Sequence, residues 1–229
     1  MPAPKANTET IENYLKAIHT LASESPTGEA GMKAIATLTG VTVGTASTMV
    51  KRMAAAKLAR YERFGGVRLT AKGERIAIDV VRRHRLIETL LVQTLKLDWS
   101  VVHEEAERLE HALSPVVLEA LDVFLGQPTT DPHGDPIPDS KGHFREAAMV
   151  PLASVPANMR TRITRVLDQS EASLRFLQAH GLSVGSIVTS NGSEPGAGVV
   201  TVTNAARQRV SLSMQAAERV LVRETRDRS

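Results

Sequence analysis

The densest run of chemically capable side chains is His103-Glu-Glu-Ala-Glu-Arg-Leu-Glu-His111, with two imidazoles and four carboxylates in nine residues. On a helix turning 100° per residue, His103, Glu107, Glu110 and His111 fall within an arc of about 100°. Glu107 reaches a common point with Glu110 at i, i+3 and with His111 at i, i+4, the geometry of ligands on one cation. His103 lies about 12 Å along the axis from His111, at 1.5 Å per residue, so it needs a different ion and a different partner. His84 and Glu88, again at i, i+4, offer that partner from the preceding helix. Spacing alone therefore favours two separate metal sites. A solvated helix face or a hydrogen-bonded core histidine gives the same spacing, but so many carboxylates and imidazoles on one face repel or desolvate one another without a cation. Cysteine is absent, which excludes disulfides, thiolate ligands and cysteine nucleophiles.

A second chemistry is written in the charge distribution. Lys51 to Arg85 holds 11 basic and 3 acidic residues, a net of +8, while Asp98 to Ala148 holds 3 basic and 11 acidic, a net of −8, within a whole-chain charge of +3. Either the chain presents a basic surface to a polyanion and an acidic region to cations, or these are two solvated faces. The segment Thr42 to Met53 reads as a helix exposing Thr42, Gly44, Thr45, Ser47, Thr48 and Lys51. Small hydroxyls allow close approach to base edges in a major groove. Lys51, Arg52, Arg60, Arg63 and Arg68 are suited to phosphates, which supply most of the affinity.

The elements that must position these residues follow from periodicity. Thr10 to Ala22 carries apolar residues at helical spacing, with Thr8 or Thr10 as possible caps. Met32 to Leu38 and Thr42 to Met53 read as two more helices, and Leu58 to Thr70 as two short strands around Gly65-Gly66. Three helices and a hairpin make a winged helix-turn-helix. A long helix follows from Ala71 to about Thr94, with Thr70 as its cap, and two more over Ser100–Ala112 and Pro115–Leu125. These fit a dimerisation bundle or a buried internal bundle equally. Residues 126–142 hold four prolines and three glycines and read as a loop or linker. Beyond them, β-rich runs at Thr161–Leu167, Ser186–Thr189, Val199–Val202 and Val210–Ser213, with a helix at Ala172–His180, suggest a small β-barrel. The expected fold is mainly α with a small β part. It comprises a DNA-binding domain over 1–73, a helical dimerisation and metal-binding domain over 74–142, and an SH3-like (FeoA-like) domain over 143–229. The 229 residues, 42% hydrophobic and 23% charged, suffice for such cores. No apolar run has the length of a membrane span and the first ten residues lack a signal-peptide core, so a cytoplasmic protein with no membrane association is expected.

The order of motifs resembles the diphtheria-toxin-repressor-like group of metal-activated transcription regulators. The pieces are Thr10-Ile-Glu-Asn-Tyr-Leu-Lys-Ala-Ile18, the helix from Thr42, Leu69-Thr-Ala-Lys-Gly73, Arg83-His-Arg-Leu-Ile-Glu88, His103 to His111 and Asp131-Pro-His-Gly-Asp-Pro-Ile-Pro138. The C-terminal pieces Arg175-Phe-Leu177 and Gly181-Leu-Ser-Val-Gly185 resemble the SH3-like domain of the longer members. The resemblance implies a primary activating site of Glu107, Glu110 and His111 with Asn13 from the first helix. It implies an ancillary site of His84, Glu88 and His103, completed by Asp168 and Glu171. Glu107 follows the manganese-type pattern, where iron-type members carry sulfur, and Asn13 is a neutral variant of that pattern. Short manganese regulators have a carboxylate where this chain has Lys16, which cannot ligate while charged, so separate sites rather than a bridged pair are implied.

The expected function is thus a homodimeric repressor activated by Mn²⁺ or alternatively Fe²⁺, two sites per chain, acting on a double-stranded DNA operator. A winged-helix regulator sensing an organic ligand would instead ignore chelators. A di-metal carboxylate oxidase would need Glu-x-x-His repeats, and no Glu stands three residues before any His. No enzyme is expected. Truncation after Gly142 is expected to leave a folded dimer that still binds DNA with metal.

Overall fold

The first apolar stripe becomes α1 (Lys5–Glu24) in the structure, a computed structural model that describes residues 5–61, 65–145 and 148–225. Thr8 and Thr10 lie inside this helix rather than capping it, because Lys5, Ala6 and Glu9 are themselves good helix formers. α2 (Met32–Leu38) stops short of Gly40, whose φ of +67° suits glycine. α3 (Val43–Ala55) is capped by Thr42, whose side chain accepts from the Thr45 amide at 3.2 Å. β1 (Ala59–Tyr61) and β2 (Val67–Leu69) pair antiparallel, Arg60 opposite Arg68. α4 (Ala71–Gln93) is capped by Thr70, which accepts from the Gly73 amide. A Cβ at position 73 would overlap the Leu58 carbonyl oxygen, so the helix start presses directly on the chain entering β1.

Residue contacts divide the chain into two compact units. The first runs up to His84 and also takes in Glu110–Leu113 and Pro138–His143. Its core is Leu15, Ile18, Ile35, Ala46, Val50, Met53 and Val67 with their neighbours, which joins α1, α2, α3 and the β1–β2 wing.

The second unit holds Arg85–Leu109, Ser114–Ile137 and the chain from Phe144 on. It contains α5 (Val102–Leu109) and α6 (Pro115–Phe124), the latter opened by a Ser114 cap and a proline in the first turn. A six-stranded antiparallel sheet follows, built from β3 (Val150–Pro151), β4 (Arg160–Val166), β5 (Ile187–Glu194), β6 (Val199–Thr203), β7 (Arg209–Ser213) and β8 (Val220–Glu224). Their order is β3-β8-β4-β5-β6-β7, with α7 (Glu171–Ala179) and α8 (Met214–Glu218) packed onto it. The core of this sheet includes Trp99, from the segment between α4 and α5, and Val92 packs against it. Among the described residues, no helix is long and apolar enough to cross a membrane.

The segment 126–142 is not a spacer. Asp131, His133, Gly134, Asp135 and Ile137 are buried. The His133 carbonyl accepts from the Val166 amide at 2.9 Å, and Asp135 pairs with Arg165 and accepts from Gln169 at 2.7 Å. Gly134 (φ +86°) lies so close to β4 that a Cβ would overlap the Thr164 carbonyl oxygen. Prolines fix this loop's shape for docking rather than extending it.

Candidate metal centre

Glu110 is wholly buried within the first unit. Its Oε1 accepts from the Lys16 ammonium at 2.6 Å, and its Oε2 lies 2.6 Å from His84 Nδ1. Burial alone would raise its pKa, but the His84 hydrogen bond and the Lys16 charge outweigh burial and hold it below the ordinary 4.5. His111 Nδ1 lies 2.7 Å from Glu12 Oε2, while its Nε2 is buried without a hydrogen-bond partner, 3.6 Å from Glu110 Oε1. A carboxylate on Nδ1 selects the tautomer whose Nε2 lone pair is free, the form that ligates metals. Glu110 Oε1 and His111 Nε2 are close enough to share one ion with bonds of about 2.1 Å. Arg83 flanks the cluster, 3.5 Å from Glu12 and donating to the Glu110 carbonyl.

The expected first-helix ligand, Asn13, is exposed on α1. Glu12 and Lys16, one turn apart, share the face that meets Glu110 and His111, and Asn13 lies about 100° round the helix from Glu12. Glu107 is half-buried on α5, with Oε1 3.7 Å from His103 Nε2.

A second cluster lies in the second unit. Glu88, Asp131 and His133 are all buried, with one donor atom of each within 4.8 Å of the others. His133 stacks on Trp99 at 5.6 Å, and its Nε2–H donates to the Trp99 carbonyl at 2.9 Å. Its Nδ1 makes no hydrogen bond within normal length, lying 3.5 Å from Glu88 Oε2. Burial would lower the His133 pKa, but the Glu88 carboxylate and the Asp131 charge raise it to about 9. Asp131 is pushed well above the usual carboxylate range by burial, then by Asp135 and Glu88, although its oxygen accepts from the His133 and Asp135 amides. Two buried carboxylates beside an imidazole form a donor set that a divalent cation would neutralise.

Two residues of the ancillary set read from the sequence, Glu88 and His103, do come together. His84 meets Glu110, and Glu88 meets both His103 (3.2 Å) and His133. Asp168, half-buried, accepts from the Ser170 amide, and Glu171, exposed, pairs with Arg175 at 2.6 Å. Gln169, not these two, reaches the 131–135 loop. Sequence reasoning missed Glu12 as a partner of His111 and the pair Asp131 and His133. The signal was present in Asp131-Pro-His133, whose donors were hidden by a proline-rich stretch read as linker.

On α3, Thr42, Gly44, Thr45, Thr48, Lys51 and Arg52 are exposed and Ser47 is half-buried. Arg63 lies outside the described residues. Arg68 is tied to Glu29 at 2.7 Å and to the Thr27 carbonyl, which fixes the wing to the chain before α2. Thr48→Ala is expected to weaken binding to a specific operator by about tenfold, roughly 1–3 kcal/mol per lost base contact. Lys51→Ala should weaken binding to every duplex and lower the salt slope by about one. Salt-dependent anisotropy on specific and random duplexes separates the two; equal wild-type behaviour in both variants would remove α3 as the reader.

A winged helix-turn-helix with a buried carboxylate–imidazole cluster, followed by helices and a small β domain, defines the metal-dependent repressor class. Residues 7–67 match the family described as iron dependent repressor, N-terminal DNA binding domain. Residues 70–139 match its metal binding and dimerisation domain, and residues 150–224 the FeoA domain. The chain is 32% identical over 179 residues to the diphtheria toxin repressor of Corynebacterium glutamicum, covering 75% of this chain and 77% of that protein. It is 41% identical over 131 residues to the iron-dependent repressor IdeR of Mycobacterium tuberculosis, covering 57% of this chain and 56% of that protein. The chain thus matches little more than half the length of the mycobacterial relatives. A solved manganese-dependent transcriptional repressor in complex with manganese superposes with a TM-score of 0.85 at 34% identity, over 94% of this chain and 100% of that one. The chain belongs to the iron-dependent (diphtheria toxin) repressor family.

Proposed function

We propose that this chain is a cytoplasmic, homodimeric transcriptional repressor that binds its DNA operator when loaded with Mn²⁺ or Fe²⁺ and so limits metal uptake. The observation that carries this reading is the orphaned Nε2 of His111 beside buried Glu110, in the same compact unit as α3. An ion held there would tie α1 to residues 110–111 and favour one placement of the reading helix. Oxygen and imidazole donors without sulfur suit Mn²⁺ and tolerate Fe²⁺, with selection among metals set by geometry and availability. The second ion is assigned to Glu88, Asp131 and His133, with His103 beside Glu88; Asn13, Glu107, Asp168 and Glu171 are secondary candidates.

The homodimer is supported by α6, where Val116, Val117, Val123 and Phe124 are each more than half exposed. A contiguous apolar face of this kind marks an association surface. Val123→Asp with Phe124→Asp is expected to give a monomer in sedimentation at micromolar concentration, with operator binding lowered at least 100-fold through the lost second half-site. The function itself is tested by anisotropy on a duplex selected from a random pool. Binding should rise on adding Mn²⁺ or Fe²⁺ and vanish with chelator; binding indifferent to both sinks the proposal.

A further inference from the structure

Lys16 stands on α1 one turn after Glu12, and its ammonium donates to Glu110 Oε1 at 2.6 Å. That same oxygen lies 3.6 Å from the orphaned His111 Nε2. The ammonium therefore uses a lone pair of the oxygen best placed to share an ion with His111. Lys16 is mostly buried and Glu110 wholly so, which makes their attraction stronger than that of a surface pair. The groups facing this point are Glu12, Lys16, Arg83, His84 and His111, and Arg83 is already held by Asp79 and Glu12. Glu12 and Glu110 are thus balanced by Lys16 and Arg83 before any ion arrives.

We propose that Lys16 is a tethered counter-cation that a divalent metal must displace from Glu110, so that Lys16 sets the metal concentration at which this site fills. The proposal rests on reading Glu110 and His111 as ligands. A dication beside a fixed ammonium is repelled, whereas four flexible methylenes let the ammonium swing to solvent once the metal takes its oxygen. Lys16 thereby stabilises the chain before metal arrives and weakens metal binding afterwards, two effects of opposite sign from one side chain.

The test is calorimetric titration of the full-length, chelator-stripped protein with Mn²⁺, comparing wild type, Lys16→Met, Lys16→Arg and His111→Ala. His111→Ala identifies the equivalent bound at this site by removing it. Lys16→Met is expected to tighten that equivalent about tenfold or more, while Lys16→Arg, which keeps the charge, stays within about threefold of wild type. Without metal, Lys16→Met should melt below wild type, and Mn²⁺ should raise its Tm by more than it raises wild type. If Lys16→Met does not fold, Lys16→Gln, which keeps a donor for Glu110, carries the same expectation. Unchanged or weaker binding in the neutral variant overturns the proposal while leaving the site reading intact. Full stoichiometry in His111→Ala overturns both.

Discussion

Glu110→Ala is expected to lose metal-dependent operator binding and to lose stability even without metal, whereas His111→Ala loses only the first to a comparable degree. The difference comes from what each leaves behind. Removing Glu110 takes from Lys16 and His84 the buried carboxylate that both of them hold at 2.6 Å. Breaking a buried ion pair by deleting one partner costs about 3–5 kcal/mol, a large part of a domain's total stability. Removing His111 frees only a carboxylate, Glu12, that still has Arg83 within 3.5 Å and reach to solvent. That loss is of the order of one hydrogen bond, about 1 kcal/mol. Denaturant unfolding of the metal-free variants measures both. The acid limb gives an independent check. Glu110's carboxyl is held below its ordinary value, so its contribution is present above the unfolded-state pKa and is lost as pH falls through the depressed folded value. Glu110→Ala should lack that part of the acid dependence. A Glu110→Ala midpoint equal to wild type would show that the buried pairs contribute nothing.

Periodicity made the helix-turn-helix and its wing legible. The Thr42 cap, the buried Ala46, Val50 and Met53, and the Arg60–Arg68 strand pair all follow from local pattern and turn chemistry. Of the acidic constellation read as one helical face, α5 carries the His103–Glu107 pair at i, i+4, but the helix ends at Leu109 and leaves Glu110 and His111 in the turn beyond it. Partner choice across elements was not legible. Whether Glu12 or Asn13 faces His111 depends on how α1 is rotated, and two adjacent positions on a helix are 100° apart. The C-terminal sheet was half legible. β6 and β7 alternate cleanly, but Val220-Leu221-Val222 of β8 is a continuous apolar run without a turn signal before it, and β3 has only two residues. Strand order, set by β8 lying between β3 and β4, is a long-range fact with no local signature. The loop 131–137 was misjudged for a physical reason. Proline and glycine mark irregular backbone, and irregular backbone is usually on the surface, yet here it is pinned by Gly134 against β4 and by Asp135 to Arg165.

That packing changes what truncation after Gly142 should do. From composition alone the C-terminal part looked separable, but Trp99 is 7% exposed and sits in one core with Leu174, Leu177, Val188 and Val222. Deleting residues beyond 142 strips that cover, together with the Val166 amide that binds the His133 carbonyl and the Arg165 and Gln169 side chains that hold Asp135. Uncovering one large aromatic costs about 3–5 kcal/mol by analogy with core truncations, and for a chain of this size that corresponds to a fall in Tm of about 10 °C. Trp99 is the sole tryptophan, so its emission reports the event directly. The truncated chain should show red-shifted, solvent-exposed emission. It should also bind fewer Mn²⁺ per chain, because Asp131 and His133 lose the loop geometry that places them against Glu88. The metal equivalent removed by His111→Ala should survive, since its ligands belong to the other compact unit. Wild-type emission and melting in the truncated protein would show that the core around Trp99 does not depend on the sheet, and the domain would then be the separable module its composition suggested.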